Sequence, residues 1–278
     1  MIDTGPTAAP TEDTPMSRAR RTATAAVVAL LGAAALTACD GEIVIGDGDT
    51  GPRETVSQEL TPVSTVDIGT SGTMHVVVGD EPSLTITAGH EVLEEITAVV
   101  HGDTLTIDLH GMWINTGRIE YELVMPALSS VVVSGSADVT GEIAPTGAAT
   151  VTIDGSGDVD VTGAGAADEV TVDIEGSGGV RLGDLDAQQV TVAIDGSGEV
   201  TLAGRTAVLG VRIPGSGDVD ADDLLAADVT VQIDGSGEAL VHAAETLDVV
   251  IEGSGDVRYT GDPQVSEDID GSGDVGRA

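Results

Sequence analysis

Val229-Thr230-Val231-Gln232-Ile233 runs straight into Asp234-Gly235-Ser236-Gly237-Glu238, and the same order recurs along the second half of the chain. An apolar residue at every second position describes a strand with one face buried and one exposed. Gly-Ser-Gly supplies residues that tolerate unusual backbone angles, so the chain turns a corner and continues. A shorter alternating run follows each corner, as in Val200-Thr201-Leu202. The tripeptide begins at Gly155, Gly176, Gly196, Gly215, Gly235, Gly253 and Gly271, at spacings of 21, 20, 19, 20, 18 and 18, and a degenerate Gly135-Ser136-Ala137 lies 20 residues before the first. A near-constant period of this length is the mark of stacked repeats. A second break, rich in Gly or Ala (Gly163 to Ala167, Ala226-Ala227, Ala243-Ala244), closes each coil. Two short strands and two corners per repeat make one rung of a parallel β-helix-like solenoid, with rungs about 4.8 Å apart. The predicted class is all-β.

Composition agrees with this reading. The 278 residues include 48 Asp plus Glu against 10 Lys plus Arg, for a formal net charge of −38, yet 41% of the chain is hydrophobic. A disordered chain does not carry that much apolar content in a period of two. Phe is absent, so the core is built from small β-branched side chains in repeated layers. Nucleic acid is excluded as a partner: the cations needed to neutralise phosphates are missing, and Trp113, Tyr121 and Tyr259 are the only rings for stacking on bases.

The N-terminal stretch has a different character. Arg18, Arg20 and Arg21 precede an apolar run from Ala23 to Leu36, too short to span a bilayer, and Leu36-Thr37-Ala38-Cys39 follows. This is a secretion signal ending in a sequence similar to a bacterial lipobox, in which Cys39, the single cysteine, is lipidated and becomes the mature N-terminus. Residues 1–15 are acidic and rich in Pro and Thr, so Met16 is the expected start of the signal. Arg20-Arg21 lacks the apolar residues that follow a twin-arginine pair, and the export route stays open. The predicted organisation is signal peptide over 1–38, lipidated tether over 39–60, and one β-solenoid domain over 61–278. Within the domain, 61–130 is a less regular β cap and 131–278 carries the repeats.

Several features together resemble the head GIN domain family of auto-transporter adhesins: His101-Gly102-Asp103 before Leu105-Thr106-Ile107, Val124-Met125-Pro126-Ala127-Leu128 before the first repeat, the serial Gly-Ser-Gly-acidic-Val corners, and Tyr259-Thr260-Gly261-Asp262-Pro263. The likeness covers roughly Thr61 to Val275. It implies a right-handed β-helix-like fold with a pectin-lyase-type outline, no recognised catalytic residues and a role in adhesion. Two corners depart from the pattern, with Pro214 before the fourth Gly-Ser-Gly and Gly179 after the second.

Candidate chemistry is sparse. The corner serines occupy one repeated turn position with no histidine recurring near them, so nucleophilic catalysis is not indicated. His75, His90, His101, His110 and His242 show no ligand spacing. The acidic residues flanking the corners are the exception. Stacked in register, they form two columns of carboxylates one rung apart, and Asp154, Asp158, Asp195, Glu199, Asp234, Glu238, Glu252, Asp256, Asp270 and Asp274 become candidate cation-binding residues. Calcium is the possible ion, because paired carboxylates and corner carbonyls are oxygen ligands; otherwise no cofactor is expected. The competing reading is a solvated acidic face that keeps the sheets apart. The expected function is a non-enzymatic lipoprotein on the extracytoplasmic face of the cell membrane. It is held there through its lipid anchor and binds an envelope or extracellular protein or glycan through its long faces. A divalent-cation-binding accessory or sensory lipoprotein and a polysaccharide-active β-helix enzyme are the alternatives.

Overall fold

In the computed structural model, residues 50–113, 115–164 and 167–278 are described. The expected signal peptide, the start at Met16 and Cys39 lie outside them. The chain folds as a β-solenoid of about seven turns.

The regular part starts from short strands that alternate one ladder with the other: β8 (Ser130–Val133), β9 (Ser136–Glu142), β10 (Ala148–Ile153), β11 (Val159–Thr162) and β12 (Glu169–Ile174). Four longer strands follow, each bent through the second corner of its coil: β13 (Gly179–Ile194), β14 (Glu199–Ile213), β15 (Asp218–Ile233) and β16 (Glu238–Ile251). β17 (Asp256–Gly261), β18 (Gln264–Ile269) and β19 (Asp274–Arg277) complete the stack. One parallel ladder runs β8–β10–β12, through the second halves of β13 to β16, to β18. The other runs β9–β11, through the first halves of β13 to β16, to β17 and β19. Inside, identical positions stack. Ile153, Ile174, Ile194, Ile213, Ile233 and Ile251 form one fully buried column, and Val159, Val180, Val200 and Val219 form another. This is how a chain without Phe fills its core at normal density.

The corner glycines are needed for a reason other than the one read from the sequence. Their backbone is not left-handed; among the Gly-Ser-Gly glycines only Gly271 has a positive φ, at +154°. The requirement is steric. A methyl group on Gly155, Gly176, Gly196, Gly235 or Gly253 would fall onto the carbonyl oxygen of the corner glycine one rung below. That oxygen also accepts the next serine N–H, as in Ser177 N–H to Gly155 O (3.1 Å) and Ser197 N–H to Gly176 O (3.1 Å). The second glycine is buried over the isoleucine of the preceding rung, so a Cβ on Gly198 would lie 2.7 Å from Ile174 Cγ2. Positive φ appears at the other corner instead, at Gly163 (+86°), Asp184 (+57°), Gly204 (+131°) and Gly261 (+92°).

The cap is assembled out of chain order. β2 (Thr65–Ile68) and β3 (Ser71–Val78) form a coil lying directly against β8 and β9. The coil beyond it is made later in the sequence, by β6 (Thr104–Leu109) and β7 (Glu120–Met125) pairing parallel to β2 and β3. Antiparallel strands close the end: β5 (Ile96–His101) on β6, β4 (Ser83–Gly89) on β7, and β1 (Arg53–Glu59) on β4, with the short helix α1 (His90–Glu95) joining β4 to β5. Residues 53–59, expected as part of the tether, are thus a strand of the domain. Its Thr55 and Ser57 hydroxyls, at alternate positions on one side of the strand, pair with Thr87 (2.9 Å) and Thr85 (3.0 Å) of β4. The buried Tyr121 hydroxyl, 2.7 Å from Thr70 Oγ1, ties the outermost coil to the next; burial pushes its pKa up to about 12, against the smaller lowering by that hydrogen bond.

Candidate functional site

Each corner places a short side chain outward between two acidic positions, so the site is best built from a single rung. The serine points to solvent and the second glycine to the core. The residue before the corner donates its N–H to the isoleucine carbonyl one rung below, as in Asp195 to Ile174 (2.9 Å) and Glu252 to Ile233 (2.8 Å). The residue after the corner opens the next strand, and register stacks Glu199, Asp218, Glu238, Asp256 and Asp274 in one column.

Aspartate and glutamate behave differently in that column. Asp138, Asp158, Asp218 and Asp256 each accept the backbone N–H of the residue one rung above, at 3.2, 2.7, 2.9 and 2.9 Å. Above Glu199 and Glu238 the N–H turns to a glycine carbonyl, Gly198 (3.0 Å) or Gly237 (3.2 Å). Glutamate has one more methylene, which carries its carboxylate past the amide. The aspartates are therefore structural acceptors, a role that alignment of the corners did not reveal.

In the column before the corners, Pro214 breaks the run, and there Arg212 spans the gap, 3.8 Å from Asp195 and 3.1 Å from Asp234. Among the described residues, no three His, Cys, Asp or Glu side chains converge as a metal centre requires. The groove beside the column, lined by Glu199, Asp218, Glu238, Asp256 and Arg258, encloses about 220 Å³. Ligand pockets usually measure about 300–1,000 Å³.

Three further arrangements could not be read from spacing alone. Thr260 Oγ1 lies 2.6 Å from Asp222 Oδ1 and 2.9 Å from His242 Nδ1. In a catalytic triad the imidazole stands between hydroxyl and carboxylate. Here the hydroxyl stands in the middle and donates to the aspartate, which makes a clip across three rungs rather than an activated nucleophile. A register shift between Ala221 and Leu225 brings these residues together. The second arrangement is a row of hydroxyls on the outward side of the β8–β10–β12 ladder: Thr65, Ser130, Thr150, Thr171 and Thr191 stack in register, and after Gly210 the row resumes at Thr230.

The third is Asp173, beside that row. Burial, and then the charges of Asp195 and Asp154, raise its carboxyl above the ordinary value. A raised acid holds its proton more tightly folded than unfolded. Its ionisation therefore costs stability, a cost absent below the unfolded pKa and complete above the folded one. Asp173→Asn is expected to raise the melting temperature by on the order of 1 °C at about pH 7, and to change nothing at about pH 3. A melt of the variant followed by circular dichroism at both pH values checks this, and an unchanged midpoint at neutral pH overturns it.

A family model described as "Putative auto-transporter adhesin, head GIN domain" matches residues 63–263, which takes in the cap from β2 onward and the Gly-Ser-Gly corners from Gly155 to Gly253, and ends after β17. The chain belongs to this family. The head GIN domain fold is shared with crystal structures of a putative lipid binding protein from Parabacteroides distasonis ATCC 8503 (22% identity, TM-score 0.73, covering 82% of this chain and 97% of that one). It is shared also with a putative adhesin from Parabacteroides merdae ATCC 43184 (19% identity, TM-score 0.71, 84% and 98%) and one from Bacteroides fragilis NCTC 9343 (22%, 0.63, 82% and 97%). At these identities the likeness shows the fold of the head GIN domain. No curated protein sequence matches the chain significantly.

Proposed function

We propose that this head GIN domain protein is a non-enzymatic, adhesin-like lipoprotein, exported through the segment before Cys39, anchored to the membrane by a lipid on that cysteine, and displayed on the extracytoplasmic side. Its partner is an envelope or extracellular protein or glycan. The family description and the adhesin and lipid-binding names of its structural relatives support an adhesive rather than a catalytic role. The observation that carries the reading is the hydroxyl row from Thr65 to Thr191, which presents hydrogen-bonding groups at one rung's spacing, with Glu169 and Asp173 flanking Thr171 on the same side. A repeating row of short side chains on a rigid ladder suits a repeating or extended partner, because little side-chain entropy is lost on contact.

The test is capture of the full chain by whole cells, isolated wall material and immobilised matrix proteins. Wild type should bind at least one of these. Replacing Thr150, Thr171 and Thr191 together by Glu should reduce capture by roughly a hundredfold or more, because burying three added charges against the partner costs about 3 kcal/mol or more. Failure of the wild-type chain to bind any of the three would overturn the adhesive reading.

A further inference from the structure

The loop from His110 to Ile119 replaces a short corner on the outermost coil, between β6 and β7. Its described residues, 110–113 and 115–119, are held by hydrogen bonds. Trp113 Nε1 donates to His110 O (3.0 Å), the Asn115 side chain accepts the Gly117 N–H (2.9 Å), and Thr116 Oγ1 lies 3.1 Å from Ser71 Oγ. This geometry leaves Met112 outside, 74% exposed and the most exposed large apolar side chain among the described residues. Beside it stands Trp113, half-buried and the only tryptophan of the chain. Between Asp108 and Glu120 the sequence contains no Asp or Glu, while His110 and Arg118 fall within it.

The same place is where the chain enters the domain. Glu91 N–H donates to Thr50 O (3.2 Å), and a Cβ built on Gly117 would lie 3.3 Å from Thr50 Oγ1, so Thr50 is held between α1 and the base of the Trp113 loop. Only residues 40–49 separate Thr50 from Cys39. Even at full extension they reach about 40 Å. The entry point and the loop share one end of the rod, and the tether to the anchor starts from that end.

We propose that this cap end rests on the lipid surface that carries the anchor, with Met112 and the Trp113 ring entering the headgroup region. The inference rests on the lipidation of Cys39 proposed above. An indole with one polar edge favours the membrane–water interface, and Met112 sets an exposed apolar side chain next to it. One loop is too small to hold a domain with net charge −38 at a membrane unaided, but the tether raises its effective concentration at the surface. Glu91, Glu94 and Glu95 of α1 are exposed at this end, so the surface it rests on is a zwitterionic rather than an anionic one.

The single tryptophan makes the test direct. The full chain, produced in a bacterium that processes lipoproteins, is reconstituted into phosphatidylcholine vesicles whose acyl chains are brominated near the headgroup. Trp113 emission should shift to the blue and lose most of its intensity, and Met112→Asp should restore the intensity without moving the melting temperature. Mass spectrometry of the Cys39 peptide reports the anchor separately. A lipid-modified chain whose tryptophan emission is the same in brominated and ordinary vesicles overturns the docking while leaving the anchor reading intact. An unmodified Cys39 overturns both.

Discussion

Gly196→Ala is expected to destabilise the protein by about 3 kcal/mol, close to the upper end of ordinary single substitutions. The added methyl would fall onto Gly176 O, the oxygen that also accepts the Ser197 N–H, so relief requires two rungs to part at the corner and weakens that hydrogen bond. The strain cannot be relieved by rotating a side chain, because both partners are backbone. Gly210→Ala is the matched control. It lies mid-strand, where an added methyl meets nothing within 4 Å, so its midpoint should stay within about 0.5 kcal/mol of wild type. Urea unfolding followed by circular dichroism measures both, and equal midpoints would refute the steric account of the corners.

The second large effect is the response to salt. Charges one rung apart repel by about 0.8 kcal/mol in a fully aqueous dielectric, and most of that is screened at molar ionic strength. Several such pairs occur in each column, among them Glu199–Asp218 and Asp218–Glu238, while arginine reaches only a few of the acids, as at Arg205–Asp186 and Arg212–Asp234. The melting temperature should therefore rise by on the order of 10 °C between low and molar sodium chloride. A salt-independent melt would show that the columns carry little mutual repulsion. The same experiment in calcium and magnesium at matched ionic strength tests the proposed cation sites. A rise specific to calcium makes Asp154, Asp158 and their counterparts ligands, and equal responses make them a screened, solvated surface.

The solenoid was legible because a single requirement repeats. Every rung needs a β-branched residue inside, a corner whose glycines flank one short outward side chain, and an alternating strand, and that requirement leaves a period in the sequence that no other architecture explains as simply. The reason for the glycines was not legible. Conformational freedom and lack of a Cβ select the same residue, and only the position of the neighbouring carbonyl separates them. The carboxylate columns could be aligned from the corners, but whether a given acid is occupied could not, since one methylene decides whether Asp218 reaches an amide that Glu238 overshoots. The cap was the least legible part. Nothing in the alternation of Leu105 and Ile107 says that their strand lies outside Val66 and Ile68 rather than after them, because the free edge of β2 accepts any strand of matching pattern.

That reversed order bears on how the molecule is made. The β2–β3 coil is enclosed on one side by strands that end at Met125 and on the other by strands that begin at Ser130, so it cannot be completed until nearly half the chain is present. From Ser130 onward, each coil has only to add to an edge that already exists. A polypeptide delivered from its N-terminus would thus build a slow seed first and then elongate like a filament growing from one end, coil upon coil. Loss of distal coils would shorten the rod, whereas damage to the seed would leave the rest without a template.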